Sequence, residues 1–297
     1  NPSTYRVFSF SGSSVTITLN NLTVKGGNVS AGGGCMRNTA DKLVLNNVII
    51  SNGRNSSSGG GGLNNTGIVY MHQCQLIRNS ADYGGGFLND GGTMYVTSTT
   101  FSENRSEGNG GGGCENKSTG LIYMNNCTFS NNKSLEIGGG INNYQGTLYI
   151  MNSTLTGNIV YGPDEGGAIG NRDNCTIVNC IFAYNYRRSG GTSSDPTSFV
   201  LDDFNYVSKG TAGQPVDCYY SIYHSNNNDI SNNSIGNIRY TGDQDGSDND
   251  IFAGGIYTKI TDGTGVEIGS AKVFQPYLVS NSTKTATLQI GSFPNLS

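Results

Sequence analysis

A Gly-rich triplet followed by one larger residue recurs along this chain, and no other feature limits its folding as strongly. It stands at Gly32-Gly33-Gly34-Cys35, Gly60-Gly61-Gly62-Leu63, Gly84-Gly85-Gly86-Phe87, Gly111-Gly112-Gly113-Cys114 and Gly138-Gly139-Gly140-Ile141, with a variant at Gly166-Gly167-Ala168-Ile169. The larger residues are spaced by 28, 24, 27, 27 and 28. A second mark runs in phase: Asn52, Asn79, Asn104, Asn132, Asn158 and Asn185, spaced by 27, 25, 28, 26 and 27. The chain is therefore a repeat of about 26 residues with small insertions.

Anchoring each repeat on its Asn exposes columns. Three residues before it stand Ile49, Leu76, Phe101, Phe129, Leu155 and Phe182; eight before it stand Val44, Met71, Val96, Met124, Ile150 and Ile177. Ten before it are Val69, Met94, Ile122, Leu148 and Cys175, with Lys42 breaking the column in the Asn52 repeat. Six before it, Asn46, Gln73, Ser98, Asn126, Asn152 and Asn179 form a polar column. Apolar residues at ten and eight with another type between them have period two, which is strand geometry. An earlier repeat fits with Gly27 as anchor, placing Ile17, Leu19 and Val24 in the same columns. The pattern resumes at Val216, Cys218, Ser221, Tyr223 and Asn226.

A repeat this short cannot bury its own apolar residues, so neighbours must stack on one another. Equivalent strands side by side turn each column into a ladder with a rise of ~4.8 Å per repeat. Apolar columns then fill the interior, Asn columns bond side chain to side chain, and Gly supplies positive φ or close approach at turns. The expected fold is all-β: a right-handed parallel β-helix, a solenoid of about 26 residues per coil.

Composition agrees. Gly and Asn make up about 28 % of the chain, while charged residues are only 13 % and Trp is absent. Both are poor helix formers, and 6 Pro without a Gly-X-Y period exclude collagen. The 17 Tyr and 11 Phe can build a core, which disorder would not need. A net charge of −4 leaves no basic footprint for nucleic acid, and no apolar run reaches the ~18 residues of a transmembrane segment. With no initiator Met at Asn1, the chain is expected to be a processed product or an excised domain. Residues 1–185 hold 10 basic and 10 acidic residues; residues 186–297 hold 7 and 11, so the whole net charge comes from the last third. The repeat is interrupted there too, because Asn185 to Asn226 spans 41 residues.

Gly166-Gly167-Ala168-Ile169 resembles the GGA[ILV] tetrapeptide, and Phe101–Asn104, Phe129–Asn132 and Phe182–Asn185 resemble the FxxN tetrapeptide. These recur in chlamydial polymorphic outer-membrane proteins and related bacterial surface repeats. The resemblance covers about residues 15–226; most repeats here carry three Gly before the larger residue. It implies a three-sided β-helix of the pectin-lyase-like kind on an extracellular protein, and it carries over no catalytic motif.

Nine residues before the anchor lie Tyr70, Tyr95, Tyr123 and Tyr149, between two inward columns. They should point outward as a four-rung aromatic ladder, a surface suited to sugar rings or a partner, or else a stabiliser of the sheet. Among the seven Cys, Cys74, Cys127 and Cys180 share the column five before the anchor with Asn47, Thr99, Ser153 and Ser221. Two repeats apart they stand ~9–10 Å from each other, beyond the ~7 Å limit of a disulfide. Cys35 and Cys114 are expected in one column three repeats apart, which also forbids pairing. Free, buried thiols follow. Of thirteen Asn-x-Ser/Thr sequons, Asn126, Asn152 and Asn174 fall on the repeat itself.

Asp243, Asp245, Asp248 and Asp250 surround a Gly on a tight acidic segment, which reads either as a solvated acidic turn, with no cofactor, or as a set of candidate ligands for Ca²⁺. Enzymes of this fold cleave polysaccharides with clustered carboxylates or an Arg or Lys base. The candidates for such a lyase or hydrolase are Arg187, Arg188, Asp202, Asp203 and Lys209, with Arg172 and Asp173 nearby. Because fold does not license function, the first expectation is a non-enzymatic secreted or cell-surface protein. It would be a rigid adhesive stalk or a building block of an extracellular assembly. Its partners would be itself, end to end or laterally, or an extracellular glycan, host or neighbouring-cell surface. Residues 1–226 are expected to form the β-helix with an N-terminal cap and an insertion at about 186–215. Residues 227–297 should be its irregular β-rich end.

Overall fold

The computed structural model describes residues 4–162, 166–178 and 180–188, and beyond them the backbone of short strands up to residue 290. Among the described residues every regular element is a strand. Parallel strands stack into a β-solenoid of about seven turns with about 26 residues per coil. A representative coil runs Phe87–Asp90, Thr93–Thr97, Thr100–Ser102 and Arg105–Ser106; the next runs Cys114–Lys117, Gly120–Asn125, Thr128–Ser130 and Lys133–Ser134. Each strand pairs in parallel with its counterpart one coil away.

Two corners per coil carry residues with left-handed backbone. Asn21, Asn47, Gln73, Ser98, Asn126 and Asn152 have φ of 50–55° and link the second strand of a coil to the third. Asn52, Arg78, Glu103 and Asn131 have φ of 53–55° between the third strand and the short fourth. Asn tolerates this region better than most residues, which accounts for much of its abundance at corners. The Gly triplets meet a different demand. A Cβ on Gly85 would lie 2.4 Å from Gly112 O and 2.5 Å from Arg105 O. The coil is pinched there between its neighbour and its own fourth strand, and no side chain fits.

Buried between the strands are two continuous amide ladders. In the first, the side-chain nitrogens of Asn79, Asn104, Asn132 and Asn158 each donate to the next coil's Asn oxygen, at 3.1, 3.0, 2.9 and 2.8 Å. The same oxygens also accept the preceding Asn's backbone N–H, at 3.0–3.1 Å. Each nitrogen donates as well to a carbonyl of the coil before, as from Asn132 to Phe101 at 3.0 Å. The second ladder runs Asn38–Asn65–Asn89–Asn116–Asn143–Asn171, with amide-to-amide distances of 2.7–3.0 Å. Beside the first ladder, Phe101 and Phe129 stack at 4.4 Å between ring centroids.

The register corrects the Asn52 repeat. Leu43, Leu45 and Ile50 pair with Val69, Met71 and Leu76 and are fully buried, whereas Val44 and Ile49 face outward. The anchor of that coil is therefore Gly53, whose N–H donates 2.8 Å to Asn79, and Asn52 is an exposed corner residue. Lys42 breaks no interior column; it pairs with Ile68 on the outer face. Because strand periodicity is two, this one-residue slip exchanges inside for outside. The same slip moves Cys35. Met36, not Cys35, pairs with Leu63, and through Phe87 with Cys114. Cys35 takes the place of the third Gly, and Val48 rather than Asn47 occupies the column of Cys74.

At the interruption, Tyr186–Arg188 pairs antiparallel with Phe199–Leu201. The solenoid register is recovered where Val216, Cys218 and Tyr223 pair with Cys175, Ile177 and Phe182, as the repeat columns require. Ser234–Tyr240 adds antiparallel to Val216–Tyr223, and Thr258–Thr261 pairs antiparallel with Thr287–Ile290.

Asn131 and Asn132 are adjacent and chemically identical, yet substitution should separate them. Asn132→Leu strips partners from buried polar groups on both neighbouring coils and should cost about 3 kcal/mol or more. Asn131→Gly, at φ 55° on an exposed corner, should change stability by less than about 1 kcal/mol. Urea unfolding of both variants checks the contrast.

Candidate functional site

Two outer faces of the solenoid carry chemistry, and the fold treats them differently. On the second-strand face, Tyr70, Tyr95, Tyr123 and Tyr149 are direct cross-strand partners. Their rings stack at centroid separations of 4.8, 5.3 and 4.8 Å with interplanar angles of 14, 4 and 8°. The alternation that buries Val69 and Met71 turns Tyr70 outward, so the ladder follows from strand geometry. It ends at Val44 on one side and Thr176 on the other. Lys42 Nζ sits 4.7 Å from the Tyr70 ring centre, a cation–π contact at the lower end. Tyr70 and Tyr95 are 38 % and 36 % exposed, so the rings offer their edges and part of their faces to solvent. Ile68, 40 % exposed, adds an apolar neighbour.

The face of the first strand is unlike this. Leu63-Asn64-Asn65, Cys114-Glu115-Asn116 and Ile141-Asn142-Asn143 are buried on both sides. The outward residues Leu88, Glu115 and Asn142 lie beneath the segments that lead into the Gly triplets. Gly110 comes so close to Glu115 that a Cβ there would meet Oε2 at 2.2 Å. Glu115 Oε2 and both amide atoms of Asn142 are buried without a hydrogen-bond partner. Burial pushes the Glu115 carboxyl up to about 8, opposed by Lys117 and helped by Asp90. Nothing in the repeat pattern points to this residue. Alternation marks its position as outward, and only the loop folded over it makes it buried.

At the start of this face the cover is incomplete. A groove of about 300 Å³ opens there, lined by Arg37, Asn64, Tyr83, Leu88, Asp90 and Lys117 among others. Lys117 Nζ stands 5.0 Å from the Tyr83 ring centre, and Asp90 accepts a 2.7 Å hydrogen bond from the Ser118 hydroxyl. The sequence columns identified none of these as a site.

The other expected sites are dispersed or lie elsewhere. Arg172 packs its guanidinium 5.3 Å over the Tyr144 ring. Asp173 accepts the Asn174 backbone N–H at 2.8 Å and so shapes a turn. Arg187 and Arg188 fall on the strand that opens the insertion hairpin. Asp202, Asp203 and Lys209 lie outside the described residues, and so do Asp243, Asp245, Asp248 and Asp250. The described residues contain no group of three or more His, Cys, Asp or Glu that could hold a metal ion, and no helix among them is long and apolar enough to cross a membrane. Among the described residues, Cys35, Cys74, Cys114, Cys127, Cys175 and Cys180 are buried thiols, none of them in a disulfide. Desolvation raises the thiols of Cys35, Cys74, Cys114 and Cys127 above their ordinary range. Of the sequons on the repeat, Asn126, Asn152 and Asn174 are exposed, while Asn104, Asn116 and Asn132 are locked in the ladders. Compared with known proteins, the chain matches no family model, no curated protein and no solved structure.

Two outcomes follow. Glu115 keeps its proton in the folded state up to pH about 8, whereas the unfolded chain releases it near 4.3. Stability should therefore fall as pH rises between those values, by up to about 1.4 kcal/mol per pH unit from this group, and level off above. Thermal melts of the wild type and Glu115→Gln from pH 5 to 8 should diverge, with the variant flatter. A thiol-reactive probe should label the six described Cys only at the rate of unfolding, and all of them at once in denaturant.

Proposed function

We propose that this chain is a non-enzymatic, rigid module of a secreted or cell-surface protein, a stalk or building block that makes its contacts through the tyrosine face. The observation that carries this reading is the four-rung Tyr ladder, partly exposed on the outer face of the sheet and held in register by the coils beneath it. Stacked rings spaced by the coil rise present aromatic area with little entropy left to lose on binding. Sugar rings of an extracellular glycan, or an apolar patch of another surface, suit such a platform. The GGA[ILV] and FxxN tetrapeptides support the extracellular placement, and the kinship to chlamydial-type surface repeats of pectin-lyase-like fold belongs to the same proposal. The solenoid supplies what a stalk needs, since its length grows by one strand spacing per coil and each coil is tied to the next by buried amides. A solenoid also ends in strands with unpaired backbone groups, which allows end-to-end association with another copy.

The test is the double variant Tyr95→Ser/Tyr123→Ser. Binding to a panel of immobilised glycans and to cell surfaces should fall at least about tenfold, as expected for removal of central aromatic anchors, while the β-rich circular dichroism spectrum is kept. Unchanged binding by a folded double variant would reject the tyrosine face. Turnover of a polysaccharide by the wild type would reject the non-enzymatic reading.

A further inference from the structure

We infer that the outer face of the third strands is a surface that binds ice, separate from the tyrosine ladder. Three successive coils contribute Thr100–Ser102, Thr128–Ser130 and Thr154–Thr156 to it. Their register sets Thr100, Thr128 and Thr154 in one row and Ser102, Ser130 and Thr156 in a second. The residues between the rows, Phe101, Phe129 and Leu155, are fully buried. Alternation therefore turns all six hydroxyl side chains outward, and all six are partly exposed. Among the described residues no hydrogen bond engages any of these six hydroxyls. Hydroxyls elsewhere in the same coils are engaged. Those of Thr99 and Ser153 donate to the carbonyls of Thr97 and Met151 at 2.9 and 2.7 Å, and that of Ser106 donates to Asp82 at 2.7 Å. The third-strand face keeps its hydroxyls for solvent.

The backbone fixes both repeats of this array. Neighbouring coils lie ~4.8 Å apart, and outward residues two apart on a strand lie ~6.6 Å apart. Thr100, Thr128, Thr154 and Thr156 carry a branched Cβ that restricts their χ1, and the Phe101–Phe129 stack at 4.4 Å braces the rungs from inside. A matching partner must be periodic in two directions at these distances. Its chemistry follows from the side chains. The array carries no charge for an ion or a phosphate, and Glu103, which follows Ser102, is engaged by Arg78 at 2.8 Å. It carries no aromatic ring on which a sugar would stack. A hydroxyl both donates and accepts, as a water molecule does. Rows of water oxygens on faces of hexagonal ice repeat near both distances. Water held over the two rows is therefore already arranged much as in the crystal, and joining the crystal costs little further ordering. The array ends at Gln75 and Ile77 on one side and at Ile181 and Ala183 on the other. A face of this size suits restraint of small ice grains.

The test is the growth of ice grains in a rapidly frozen film of protein solution, held just below its melting point and followed by microscopy over a concentration series. The wild type should keep the grains fine at concentrations where albumin lets them coarsen. Thr128→Lys puts a long charged side chain at the centre of the array and should need at least about tenfold more protein for the same effect. Ser130→Lys, on the same rung, makes the same test from the second row. Both positions face outward, so both variants should keep the wild-type melting temperature within a few degrees. Tyr95→Ser/Tyr123→Ser should restrain the grains like the wild type, which separates this face from the tyrosine ladder. The inference is overturned if grains coarsen in the wild type as in albumin, if folded Thr128→Lys and Ser130→Lys restrain them as well as the wild type, or if the tyrosine double variant loses the effect. Wild-type grains that coarsen, together with retention on powdered crystalline cellulose or chitin that Thr128→Lys abolishes, would make the face a polymer-binding surface instead.

Discussion

The structure depends on one arrangement, a buried amide satisfied by the same residue in the adjoining coils and by their main chain. The inner rungs of the Asn79–Asn185 ladder, Asn104, Asn132 and Asn158, each accept two hydrogen bonds on the amide oxygen and donate two from the amide nitrogen, with partners in the coils before and after. An isolated Asn in such an interior would leave polar groups unpaired at a cost of about 1–3 kcal/mol each. Stacking removes that cost only if every coil presents its Asn at the same height. The ladder therefore enforces register as well as stability. A coil that slipped by one residue would lose its amide bonds and turn its Leu, Met and Phe residues to solvent.

The same rule explains the one place where counting along the chain misleads. At Asn52-Gly53 the sequence offers an Asn one residue away from where the ladder needs it. Counting from that Asn puts Val44 and Ile49 inside. The apolar residues decide otherwise, because Leu43, Leu45, Val48 and Ile50 all become buried when Gly53 is the anchor. The run Leu43-Val44-Leu45 and Val48-Ile49-Ile50 is apolar in both registers, so alternation alone does not choose. Pairing with Val69, Met71 and Leu76 does.

Two faces of one solenoid meet different fates for a reason seen in the connections. Between the second and third strands the coil turns on a single left-handed residue such as Asn126, leaving no chain to cover the neighbouring face. The tyrosines there stay accessible. Between the fourth strand and the next first strand the chain is longer and returns through the Gly triplet. It passes over the outward residues Glu115 and Asn142 and buries them beneath loops. The outer ladder was thus legible from the columns, since strand alternation is enough to place it. The Asn38–Asn171 ladder was legible in principle, because from Leu63 onward an Asn follows the larger residue of each triplet at a constant distance of two. The Arg37–Lys117 groove was not, because it depends on how far each loop reaches over the sheet.

By itself the sequence determined the class of fold, the length of a coil, the interior columns from Val69 onward and the outward line of tyrosines. All of these are periodic, and a period is a property of one dimension that stacking merely repeats. The tertiary structure decided the register of the Asn52 coil, the burial of Glu115 and the shape of the groove beside Asn64. Each of these rests on contacts between residues about 26 apart, whose strength depends on which neighbour fits and not on any local preference.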